Sequence, residues 1–131
     1  MVKLYPPQAG SCTGTTEISL AAVGRGLTKN FDFEMYDACE LIIIPQVGDL
    51  ARCTFTGAGT STAWLTVTEG TPTSNGSTIT HLGAGRYRLR LDGADSNLAQ
   101  TGVYSIHFDF YDLADGADWK RAGSRVLSIT P

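Results

Sequence analysis

The sequence predicts an all-β fold, an antiparallel β-sandwich of eight or nine short strands, on three observations. Residues 86–91 and 104–111 alternate apolar and polar side chains, the period of a half-buried strand. Fifteen glycines and many threonines and serines favour short strands and turns over long helices. No stretch carries a convincing helical period. At 131 residues, 42% hydrophobic and 18% charged, the chain fits one domain with one core.

Residues 1–17 read as an extended N-terminal arm, because Pro6 and Pro7 forbid regular pairing and Gly10-Ser-Cys-Thr-Gly-Thr-Thr has no periodicity. The sandwich domain is then 18–131. Glu17 to Val23 reads as its first strand, and Gly24-Arg-Gly as a turn. The alternation from Phe31 to Asp37 turns Phe31, Phe33 and Met35 inward and Asp32, Glu34 and Tyr36 outward. Leu41 to Ile44 is a continuous apolar run closed by Pro45, as in a strand covered on both sides or lying at a subunit contact. Leu50 to Thr56 is a further strand, with Cys53 and Phe55 on one side.

Thr62 to Glu69 is rich in strand formers, with Leu65 and Val67 on one side and Trp64 on the other. Asn75-Gly76 suggests a positive-φ hairpin turn before a short strand from Ser77 to Leu82. Next, Tyr87, Leu89 and Leu91 face the core, opposite Arg86, Arg88 and Arg90. The run Asp92-Gly-Ala-Asp-Ser-Asn is dense in turn formers. Beyond it Tyr104, Ile106, Phe108 and Phe110 face inward and Ser105, His107, Asp109 and Tyr111 outward. Asp115-Gly-Ala-Asp is a turn, and Trp119 to Ile129 is the last strand, with a break suggested at Gly123.

The formal net charge of −3 argues against nonspecific binding to nucleic acid. The longest apolar run is too short to span a bilayer, and the first residues lack the apolar core of a secretory signal, so synthesis in a cytoplasm is expected. Cys12, Cys39 and Cys53 match neither a redox pair nor a zinc spacing and read as buried or half-buried thiols, with a disulfide as the alternative. His81 and His107 stand in no metal or nucleophile pattern. Asp109, Asp112, Asp115 and Asp118 lack the ligand alternation of a calcium loop and read as a solvated hairpin turn. Gly83-Ala-Gly is not followed by the helix a phosphate loop needs. The stripe Arg86, Arg88, Arg90 could grip an acidic partner or pair internally with Asp109.

The segment from Leu65 to Asn97 resembles an immunoglobulin-like β-sandwich module of tailed-bacteriophage structural proteins. In that module a Gly-rich turn leads to a Leu/Ile-Gly-x-Gly-x-Tyr segment, and an Ala-x-Asp-Thr-Asn corner leads into the next strand. The matching positions are Gly83, Gly85, Tyr87, Leu89, Leu91, Ala94, Asp95 and Asn97, whereas Arg86 stands in place of Trp and Ser96 in place of Thr. Independently of the resemblance, Gly83 and Gly85 permit the backbone angles that swing Tyr87 into the core. Asp95 and Asn97 can bond their own backbone and tighten the corner.

The resemblance implies a virion structural component made in the host cytoplasm, either a capsid decoration protein or a head/tail accessory protein. Its partners would be other virion proteins, capsid or tail subunits, in a homo-oligomer or symmetric array. The expected partner-binding residues are Val2, Leu4 and Tyr5 of the arm, Ile42, Ile43 and Ile44 of the apolar run, and Arg86, Arg88 and Arg90. No catalytic, cofactor or metal residues are expected. A carbohydrate- or receptor-binding module of a phage tail or baseplate is the alternative, with Trp64, Trp119 or Tyr111 stacking on sugars.

Overall fold

The computed structural model describes residues 2–4, 20, 22–37, 41–57, 63–114 and 116–131. Nine strands and one helix are described: β1 (Val2–Leu4), β2 (Val23–Gly24), β3 (Lys29–Met35), β4 (Leu50–Gly57), β5 (Ala63–Thr68), β6 (Thr78–Gly83), β7 (Arg86–Leu91), α1 (Gly93–Leu98), β8 (Gly102–Asp112) and β9 (Asp118–Thr130). They form a four-stranded sheet in the order β1-β3-β7-β6 and a five-stranded sheet in the order β2-β9-β8-β4-β5. The pairings are antiparallel except β1 with β3 and β2 with β9. No helix among the described residues is long and apolar enough to cross a membrane.

The apolar sets on the inner faces close on each other. Phe33 of one sheet stacks on Tyr87 at 5.3 Å and meets Phe108 of the other sheet at 5.0 Å. Tyr87, Leu89, Leu91, Ile106 and Phe108 are buried around them, together with Cys53, whose thiol is free. Burial pushes the Cys53 thiol pKa up, and the Asp109 carboxylate adds to the shift.

Several sequence expectations change. Val2–Leu4 is an edge strand of the four-stranded sheet, with Val2 packed against the core and Leu4 wholly buried in it, and Arg125 Nη2 donates to the Lys3 carbonyl. Pro6 and Pro7 stop a strand only from their own positions onward, so three apolar-patterned residues ahead of them remain free to pair. The rest of the expected arm, Tyr5 included, lies outside the described residues, as do Cys12 and Cys39 and most of the strand expected over 17–23. Leu41 to Ile44 forms no strand: its one ladder contact is an isolated bridge from Ile42 to Tyr36.

Three ladders carry irregularities; that between β6 and β7 lies between His81 and Gly83, and the other two break the alternation. One lies between β4 and β5, and Trp64 and Leu65 both pack against the core, where opposite sides were expected. Trp64 meets Phe55 at 5.5 Å and Tyr104 at 5.6 Å. The other places Ala122 as an extra residue opposite Phe108 and Asp109, so the last strand runs through Gly123 without a break. Gly76 has φ +101, but it serves a crossing between the two sheets and not a hairpin.

The expected turn at 92–97 contains a helix. Asp92 is its N-cap, accepting from the Ala94 N–H at 2.9 Å. Asp95 and Ser96 reach across the chain. The Asp95 carboxylate accepts from Thr73 Oγ1 at 2.6 Å, Asn75 Nδ2 at 2.9 Å and Ser77 Oγ at 2.5 Å. Ser96 Oγ accepts from the Gly26 N–H at 3.0 Å and lies 2.9 Å from the Leu27 carbonyl. Six residues would not hold a helix alone; here two side chains tie it to two loops.

Candidate interaction surfaces

At one end of the sandwich the loop residues 36–37 and 41–49 lie between the β6–β7 turn and the β8–β9 hairpin. Their path follows from their hydrogen bonds. The Ile43 N–H donates to the Met35 carbonyl at 2.8 Å, the Leu41 N–H to Asp37 Oδ1 at 3.0 Å and the Gln46 N–H to Asp49 Oδ2 at 2.8 Å. The other Asp49 oxygen accepts from the Leu113 N–H at 3.0 Å, which links the loop to the hairpin. Gly85, at φ +78, has no room for a side chain, since a Cβ there would stand 2.8 Å from the Ile43 carbonyl oxygen.

With its backbone held this way, the loop turns apolar side chains outward. Leu41 and Ile44 are exposed and Val47 is 100% exposed, with Leu82 near the end of β6 and Leu113 in the β8–β9 turn also exposed. Ile42 and Ile43 are half-buried, and Ile43 packs against the core. Beside them is a cavity of about 300 Å³, with Ile43, Phe110 and Ala122 among its apolar lining and Asp37, Asp112, Lys120 and Arg121 among its charged lining.

The outer faces of the two sheets carry charge in different arrangements. On β7 each arginine has its own carboxylate. Arg88 forms a two-bond fork with Asp32 at 2.7 and 3.0 Å, Arg90 meets Asp92 at 2.8 Å and Arg86 lies 3.7 Å from Glu34. The hydrogen bond from Arg88 holds the Asp32 carboxyl below its ordinary value, against the opposing effect of burial. Asp109, the internal partner weighed for this stripe, belongs to the other sheet. There it accepts from Arg52 Nη2 at 3.0 Å and Arg121 Nε at 2.6 Å.

Register explains this convergence, because Arg52, Asp109 and Arg121 are direct cross-strand neighbours on β4, β8 and β9. The Arg52 guanidinium also covers the Trp119 ring at 4.1 Å, and Tyr111 packs against Trp119 at 5.2 Å. Arg121 Nη1 lies 2.9 Å from His107 Nδ1, so that nitrogen accepts and the imidazole is neutral. Burial lowers the His107 pKa, Arg121 lowers it further, and Asp109 opposes them.

No family model matches this chain, and no curated protein sequence matches it.

Of the nine residues singled out from the sequence, Ile42, Ile43 and Ile44 fall at the apolar end, and the three arginines stand together on the four-stranded sheet. Val2 and Leu4 fall in the packing of the sandwich, and Tyr5 is outside the described residues. Val47, Leu82 and Leu113 were missed at the apolar end. Each is a single apolar residue, Val47 in the loop itself, Leu82 near the end of β6 and Leu113 in the β8–β9 turn, and only the tertiary structure brings these segments to one end. The Arg52 and Arg121 pair on Asp109 was also missed. Alternation turns Arg52 and Asp109 outward, but only the bulge at Ala122 brings Arg121 to the same face, and strand order is needed to set the three side by side. Among the described residues no three His, Cys, Asp or Glu side chains group as metal ligands would.

Proposed function

We propose that this chain is an assembly module, an immunoglobulin-like sandwich acting as a structural component of a tailed-phage virion, as a capsid decoration or head/tail accessory protein. The phage assignment rests on the resemblance of residues 65–97. The immunoglobulin-like assignment is supported by strand order, with four strands facing five and the short β2 joining β9 in parallel after β1 has joined the opposite sheet. The observation that carries the assembly reading is the apolar end. Leu41, Ile44, Val47 and Leu113 project from backbone tied down by Asp37 and Asp49, so docking a neighbouring protein there would cost little ordering entropy. The sugar-binding alternative is weakened by the two tryptophans, because Trp64 packs on Phe55 and Tyr104 and Trp119 is covered by Arg52.

The test is the double variant Ile44→Asp, Val47→Asp. Both side chains are exposed, so its melting temperature should stay within a few degrees of wild type while its incorporation into assembled particles falls sharply. Wild-type incorporation by the folded variant would remove the apolar end as the docking surface.

A further inference from the structure

We propose that the outer face of the five-stranded sheet, centred on Arg52 and Arg121, is a second docking surface, one that takes the acidic side chains of a partner polypeptide. The arginine stripe of β7 is matched one to one by Asp32, Glu34 and Asp92, whereas here two arginines share one carboxylate and leave an excess positive charge. Solvent meets that excess directly. The Asp109 side chain is 6% exposed, against 29% for Arg52 and 42% for Arg121. The carboxylate therefore works from beneath, fixing both guanidinium planes while hidden from a ligand.

Both forks are also braced from the side. Arg52 lies on Trp119, and Arg121 donates through Nη1 to neutral His107, whose Nδ1 also lies 2.8 Å from Ser124 Oγ. Arg52 Nη1 and Arg121 Nη2 have no partner among the described residues and remain as donors. Guanidinium donors held in a plane suit a carboxylate, and prior fixation lowers the ordering cost of binding it. A pyranose ring is a poorer fit, because the guanidinium already occupies the indole surface on which a sugar would stack.

The proposal depends on the assembly reading only in taking the carboxylate to come from a polypeptide. The particle assay on Ile44 and Val47 leaves this sheet untouched, so the two readings fail separately. The test is a titration of the isotope-labelled protein with hexaglutamate at low salt, following the arginine Nε–H and tryptophan indole resonances. Hexaglutamine and oligogalacturonate serve as controls. The Arg52, Arg121 and Trp119 signals should move with hexaglutamate while those of Arg86, Arg88 and Arg90 stay in place. Arg121→Gln should weaken binding by at least about tenfold, and Arg121→Lys, which keeps the charge but loses the fork, by less. If either variant does not fold, the wild-type resonances decide. The proposal is overturned by an absence of shifts, by equal shifts at all five arginines, by an equal response to hexaglutamine, or by binding of oligogalacturonate alone.

Discussion

Replacing Asp95 with Ala should unfold this protein far more readily than its position in a six-residue helix suggests. The carboxylate is buried and accepts three hydrogen bonds, from Ser77 Oγ, Thr73 Oγ1 and Asn75 Nδ2. A bond to an ionised group contributes about 1.5–3 kcal/mol, but the three losses are unequal. Ser77 is wholly buried and loses the acceptor of its hydroxyl proton, Thr73 is half-buried, and Asn75 is exposed and can turn to water. The sum is about 3–5 kcal/mol, a large share of a typical domain stability. For a chain of this length the melting temperature should fall by roughly 10–20 °C. Asp95→Asn keeps the shape and one acceptor oxygen for the two hydroxyls, and its amide meets an Asn75 side chain that can rotate to accept, so about 1–2 kcal/mol is expected.

The pH dependence supplies an independent check. Burial raises the Asp95 pKa, but the bonds from Ser77, Thr73 and Asn75 outweigh it and hold the carboxyl below its ordinary value. A carboxyl more acidic in the folded state contributes stability that is present above the unfolded pKa of about 4 and is lost as pH falls through the folded value. Urea unfolding of wild type and Asp95→Asn, followed from pH 7 down to about 3, should therefore show the gap between them narrowing in acid. A loss below about 1 kcal/mol in the Ala variant, or a gap independent of pH, would refute the reasoning.

Three further outcomes follow from packing. Leu4→Ala should cost about 2–5 kcal/mol by urea unfolding, because Leu4 is wholly buried in the sandwich; an unchanged midpoint would restore the N-terminal residues to a detachable arm. Tyr87→Phe should leave stability unchanged or raise it by up to about 1 kcal/mol, since the buried hydroxyl has no partner among the described residues and the ring packing survives; calorimetry showing a clear loss would mean that the hydroxyl is bonded. Cys53 should resist iodoacetamide at pH 8 in the native protein and react once urea unfolds it, as read by peptide mass mapping, because burial both shields the thiol and suppresses its ionisation.

By itself the sequence determined the all-β class and most of the inward side chains, for a local reason. Phe31, Phe33 and Met35, then Tyr87, Leu89 and Leu91, then Ile106, Phe108 and Phe110 alternate, and a two-residue period assigns faces whichever strand lies alongside. What needed the tertiary structure were the relations between segments. Alternation turned Arg88 and Asp109 outward equally, but only strand order gave Arg88 to Asp32 and set Asp109 between Arg52 and Arg121. Leu41 to Ile44 is equally apolar as strand or loop, and its state depends on bonds to Met35 and Asp37 and on the close approach to Gly85. The corner at Asp95 was visible as turn chemistry, yet its acceptors serve donors 18 to 22 residues earlier, a contact that the antiparallel pairing of β6 with β7, Thr78 opposite Arg90, brings within reach.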